Sequence, residues 1–105
     1  MEDINQIITE LKNRIVSKLN PEKIILFGSC AKGKVSKNSD IDLFIIKESN
    51  LDLHHRIIEA NDVIPHNFPV DIIVYTPEEY EKYKDNKWCF LYRVIREGKV
   101  IYERK

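Results

Sequence analysis

Residues 24–46 read IILFGSCAKGKVSKNSDIDLFII, and the parsing of this stretch decides the fold. Ile24-Ile25-Leu26-Phe27 is a short β-branched and aromatic run stopped by Gly28, the pattern of a buried strand entering a tight turn. From Ser29 to Asn38 the residues are small, polar and basic, with Gly33 in the middle, which predicts a short helical turn followed by a loop. Ile41, Leu43, Phe44, Ile45 and Ile46 then form a second strand, apolar enough to be buried on both faces. Asp42 sits inside it. An ionised carboxylate there costs several kcal/mol unless something compensates it.

Outward from this core, Ile4, Ile7, Ile8, Leu11, Ile15 and Leu19 recur at three- and four-residue spacings, predicting an amphipathic helix over 3–19 that Pro21 helps to end. Leu53, Ile57, Ile58 and Ile64 suggest a helix within 51–64, closed by Pro65 and the turn-like His66-Asn67. Val70 to Tyr75 is a third strand, again with one carboxylate, Asp71. Thr76-Pro77-Glu78-Glu79 offers an N-cap, a proline at the first helical position and a glutamate at the third. A further helix carries Trp88, Leu91, Tyr92 and Ile95 on one face and stops at Gly98, before a last short strand, Val100-Ile101-Tyr102. That stripe reads as core or as a partner-binding face, and an exposed Trp88 would favour the second. The predicted class is α/β (α+β): a small mixed sheet with helices packed on it. The strand order is not legible.

The chain has 105 residues, so one domain spanning 1–105 is expected. Lys plus Arg and Asp plus Glu both number 17, so no global field draws the chain to nucleic acid or membrane, and any polyanion must be held locally. No apolar run approaches the roughly 20 residues of a membrane helix. Cys30 and Cys89 have neither metal-like nor disulfide-framework spacing, which fits free thiols in a cytoplasmic setting.

Asp40 and Asp42 are two residues apart, so a strand puts both on one face. If the Asp71 strand is their neighbour, three carboxylates converge. Such an all-oxygen set suits Mg²⁺ or Mn²⁺, and two such ions could clamp the oxygens of a phosphoryl transfer. Singly, each aspartate reads as structural: Asp40 follows Asn38-Ser39 in a turn, and Asp71 suits a strand edge. Gly28-Ser29 after a strand lets backbone N–H groups approach a phosphate, although serine there is more often a plain N-cap. Lys32, Lys34 and Lys37 could neutralise a triphosphate or simply face solvent. Cys30 reads as a buried filler. His54 and His55 diverge on a helix, so with His66 they read as surface or capping residues.

Gly28-Ser29, ten residues, Asp40-Ile41-Asp42 and the later strand carboxylate Asp71 resemble the DNA polymerase beta-like nucleotidyltransferase superfamily, in particular its minimal nucleotidyltransferases. The flanks Ile25-Leu26-Phe27 and Cys30-Ala31-Lys32-Gly33 strengthen the match, which covers nearly the whole chain. The resemblance implies that Asp40, Asp42 and Asp71 bind two Mg²⁺ ions and that Gly28 and Ser29, with Lys32, hold the triphosphate. It also implies that an acceptor hydroxyl attacks the α-phosphate of ATP, with Asp71 accepting its proton. Cys30 and Lys32 depart from the family's usual aromatic or arginine and arginine; the three aspartates do not. Relatives of this size are commonly encoded beside a small helical HEPN-type partner as a toxin–antitoxin pair.

Three readings follow: a nucleotidyltransferase modifying a protein or RNA acceptor, a non-catalytic antitoxin that covers its partner, and a Mg²⁺-dependent phosphohydrolase. A homo-oligomer is compatible with each. The first ranks highest, because a pure binding module gains nothing from three costly strand carboxylates.

Overall fold

The apolar runs on either side of Gly28 and Asp40 form neighbouring strands in the computed structural model, which describes residues 4–28, 30–31, 40–65 and 69–104. β1 (Lys23–Phe27) and β2 (Ile41–Ile46) pair antiparallel, with Phe27 opposite Asp42. β3 (Val70–Tyr75) lies parallel to β2, and β4 (Lys99–Glu103) lies antiparallel to β1 with a register shift between Ile24 and Ile25. The mixed sheet therefore runs β3-β2-β1-β4. Among the described residues four helices accompany it: α1 (Ile4–Leu19), α2 (Leu53–Asn61), α3 (Pro77–Tyr83) and α4 (Phe90–Glu97).

Alternation along the strands divides the core into two layers. Ile24, Leu26, Leu43, Ile45, Ile72 and Val74 share one face with Leu11, Ile15 and Leu19 of α1 and Ala60 of α2. On the opposite face Ile25, Phe44 and Ile46 pack under Leu91 and Val94 of α4, flanked by Phe27, Ile73 and Tyr75. Asp42 alternates with Phe44 and Ile46, so it belongs to the α4 face. It is the one residue of β2 that is not fully buried.

Local signals behave as the residue types dictate. Asn20 ends α1 in the left-handed region (φ 49°), and its N–H returns to the Val16 carbonyl at 3.2 Å. Thr76 and Glu79 form a reciprocal capping box: the Thr76 hydroxyl accepts from the Glu79 N–H at 3.2 Å, and the Glu79 carboxylate accepts from the Thr76 N–H at 2.9 Å.

Two helices differ from the sequence reading. α2 ends at Asn61, Leu53 and Ile58 are exposed, and the residues it buries are Arg56 and Ala60. The Arg56 guanidinium donates to the Leu51 carbonyl at 2.7 Å, to the Val74 carbonyl on the outer edge of β3 at 3.0 Å, and to both oxygens of Glu79 at 2.7 and 3.1 Å. A pattern of apolar letters cannot register this, because the arginine stem is the apolar surface and its head is fully paired. α4 begins at Phe90, so Trp88 lies outside it and is 96% exposed. The helix is anchored by Leu91 and Val94 instead. The helical turn expected within Ser29–Asn38 and the turn at His66-Asn67 lie outside the described residues, apart from a turn at Cys30 and Ala31. Among the described residues no helix is long and apolar enough to cross a membrane.

The Arg56 network sets a testable stability. Arg56→Met keeps the stem but leaves the Val74 carbonyl and Glu79 without their donor, an expected loss of about 2 kcal/mol in urea unfolding at pH 7. Burial alone would raise the Glu79 carboxyl, but the hydrogen bonds from Arg56 and Thr76 outweigh it and lower it. A depressed carboxyl stabilises the fold above the ordinary carboxylate range and ceases to do so as pH falls through its folded value. The gap between wild type and Arg56→Met should therefore narrow between about pH 5 and 3; a gap independent of pH would show that the ion pair is not its source.

Candidate functional site

Cross-strand pairing brings Asp42 and Asp71 together with Gly28 at one end of the sheet. Asp42 and Asp71 are register partners on the parallel strands β2 and β3, and Asp42 faces Phe27 across the antiparallel pair, one residue before Gly28. Residues opposite one another share a face, so Phe27, Asp42 and Asp71 all point toward the α4 side. Asp40 stands one residue before β2, exposed, and its carbonyl accepts a hydrogen bond from the Cys30 thiol at 3.5 Å.

Gly28 closes this end of the sheet. Its φ of +75° is a conformation that L side chains rarely adopt, and a Cβ built on it would collide with a carboxylate oxygen of Asp42. The absent side chain thus makes the room in which the Asp42 carboxylate lies against the backbone of the turn.

The electrostatics are repulsive. Burial raises the Asp42 carboxyl above the ordinary range, and the charges of Asp71 and then Asp40 add to this, with a hydrogen bond to the Asp71 side chain favouring the protonated form. The Cys30 thiol is raised by burial and by the same two neighbours, Asp42 and Asp40. That makes it an inert filler rather than a nucleophile, as its sequence context suggested. The carboxylates are all hard oxygen donors, and their mutual repulsion is what a divalent cation would relieve. Among the described residues no group of three or more His, Cys, Asp and Glu stands in metal-holding geometry, so a cation would have to draw the side chains in.

Gly28, Asp40, Asp42 and Asp71 are therefore gathered, whereas Ser29 and Lys32, and with them Lys34 and Lys37, lie outside the described residues. Of the histidines, His54 and His55 are exposed at the start of α2. There His55 Nδ1 lies 2.7 Å from Asp52, the N-cap residue, so both are surface groups; His66 lies outside the described residues. The sequence reading missed the wall beside the carboxylates. Phe27, Gly28, Phe90, Arg93, Val94 and Glu97 line a cavity of about 200 Å³ between the end of β1 and α4. Phe90 and Arg93 are three apart in sequence, a spacing that would have flagged them had the helix not been phased on Trp88.

Known proteins resemble this chain over most of its length. A Methanocaldococcus jannaschii protein provisionally named a protein adenylyltransferase is 32% identical over 101 residues, covering 94% of each chain. A provisionally named nucleotidyltransferase from Sulfolobus solfataricus superposes with a TM-score of 0.67 at 22% identity, over 94% of this chain and 79% of that one. A chain from a toxin–antitoxin crystallised with AMP-PNP superposes with a TM-score of 0.61 at 23% identity, over 95% of this chain and 73% of that one. At such identities the two crystal structures speak for the fold alone. The sequence itself matches the family described as polymerase beta, nucleotidyltransferase, across residues 5–105, and to that family the chain belongs.

Proposed function

We propose that this nucleotidyltransferase moves AMP from ATP to a hydroxyl of a protein or RNA acceptor. The observation that carries the reading is the pairing of Asp42 with Asp71 on adjacent strands, with the Asp42 carboxylate seated against Gly28. Asp40, Asp42 and Asp71 are the carboxylates that would hold Mg²⁺, one ion or two; when bound, the metal neutralises charge on the phosphates and polarises the reacting oxygens. Gly28 keeps the turn open to the triphosphate, with Ser29 and Lys32 assigned as its further contacts. Asp71, exposed at the outer strand, takes the proton of the acceptor hydroxyl. The hydroxyl oxygen bonds to the α-phosphorus as the bond to the β-phosphate oxygen breaks, and pyrophosphate leaves. Most of the rate comes from positioning and charge neutralisation. The name of the Methanocaldococcus relative supports adenylyl transfer.

The test incubates wild type and Asp42→Asn with α-labelled ATP, Mg²⁺ and host lysate. Label on a macromolecule with wild type only is expected. Released phosphate with no transferred nucleotide would point to hydrolysis instead.

A second role, in complex with a small helical protein of the HEPN type, is favoured by Trp88, whose side chain projects almost wholly into solvent beside the half-exposed Phe90. The toxin–antitoxin among the structural neighbours points the same way. Because Trp88 buries almost nothing in this chain, Trp88→Ala should change folding stability by less than about 0.5 kcal/mol. It should nevertheless weaken binding of the helical partner about ten-fold or more in calorimetry. Unchanged affinity would place the interface elsewhere.

A further inference from the structure

We infer that the cavity between β1 and α4 takes the nucleobase of the triphosphate, with Phe90 as its stacking surface. The inference rests on the nucleotidyltransferase reading and extends it to the part of the substrate that the carboxylates do not touch. Three observations carry it.

The first is continuity: Gly28, whose backbone adjoins the Asp42 carboxylate, also lines the cavity, and Phe27 is the cross-strand partner of Asp42. The cavity therefore borders the carboxylate site at Gly28. The second is size. About 200 Å³ accommodates a ring system but not a whole nucleotide, for which several hundred Å³ are usual, so the sugar and phosphates must lie outside, toward the carboxylates.

The third is chemistry. Phe27 and Phe90 meet edge to face, centroids 5.5 Å apart at 77°, so each ring keeps at least one face that the other does not cover, and Phe90 is 44% exposed. With Val94 they make an apolar slot that offers a base a flat contact. Arg93 and Glu97 line the same cavity as an ion pair, 3.7 Å apart, and the Arg93 guanidinium has N–H groups beyond the one facing Glu97 with which to meet the edge of a nucleobase. An aromatic acceptor side chain would also fit the slot, and the experiment separates the two.

Calorimetric titration of the whole chain with Mg²⁺-ATP and with Mg²⁺-tripolyphosphate, for wild type, Phe90→Ala, Phe90→Leu and Phe90→Trp, tests the assignment. Phe90→Ala and Phe90→Leu should bind ATP about ten-fold more weakly and tripolyphosphate unchanged, while Phe90→Trp keeps ATP affinity. Phe90→Leu retains the bulk and serves if the alanine variant does not fold. Equal ATP affinity in wild type and Phe90→Leu would overturn the inference while leaving the transferase reading intact. So would a parallel loss of both ligands, or intact ATP affinity with reduced acceptor labelling, the last assigning the slot to the acceptor. If wild type binds neither ligand, the transferase reading itself falls, and the inference with it.

Discussion

Asp42→Asn is expected to abolish nucleotide transfer, by about a thousand-fold or more, while making the cation-free protein harder to unfold. The two effects have one cause. Burial and the charges of Asp71 and Asp40 push the Asp42 carboxyl up, so its ionised form opposes folding. A group whose folded pKa is raised contributes its stability at low pH and loses it as pH rises through that value. At neutral pH the wild-type protein bears this cost, and asparagine, of the same shape but uncharged, removes it. Thermal unfolding in chelator should give a higher midpoint for Asp42→Asn than for wild type at pH 7, and the difference should shrink toward pH 4. Saturating Mg²⁺ should raise the midpoint of wild type only. A variant that is inactive and also less stable in chelator at every pH would mean that Asp42 supports the fold rather than straining it.

Gly28→Ala should lower transfer by about a hundred-fold with only a moderate loss of stability. At φ +75° an alanine costs about 1–2 kcal/mol, which the sheet around it can absorb. The added methyl also occupies the place of the Asp42 carboxylate oxygen, and that side chain has to turn away. A displacement of about 1 Å in a group that positions the reaction is worth roughly two orders of magnitude in rate. Gly28→Asn separates the two terms, since asparagine tolerates positive φ but still carries a Cβ. It should regain part of the stability and none of the activity. Wild-type activity in Gly28→Ala, with an intact fold, would show that the Asp42 carboxylate has space to spare.

The conflict of Asp42 with its apolar strand was legible in the letters, since a charge among Ile41, Leu43, Phe44, Ile45 and Ile46 is costly in any arrangement. The same letters misjudged α2 and α4. Arg56 is buried because Leu51, Val74 and Glu79, up to 23 residues away, supply its acceptors. Trp88 matched a helical period that begins only after it, because Cys89 takes the cap position of α4.

What the sequence determined by itself is what depends on near neighbours: the strand runs with their two-residue alternation, the Thr76–Glu79 capping box, the end of α1 just before Pro21, and the Gly28-to-Asp42 spacing with its family signature. Tertiary structure alone decided that β3 lies parallel beside β2 so that Asp71 meets Asp42, that Gly28 abuts the Asp42 carboxylate, and that α4 walls the site with Phe90 and Arg93. Strand order and helix placement are chosen by burial summed over the whole molecule, a quantity that no local stretch of residues contains.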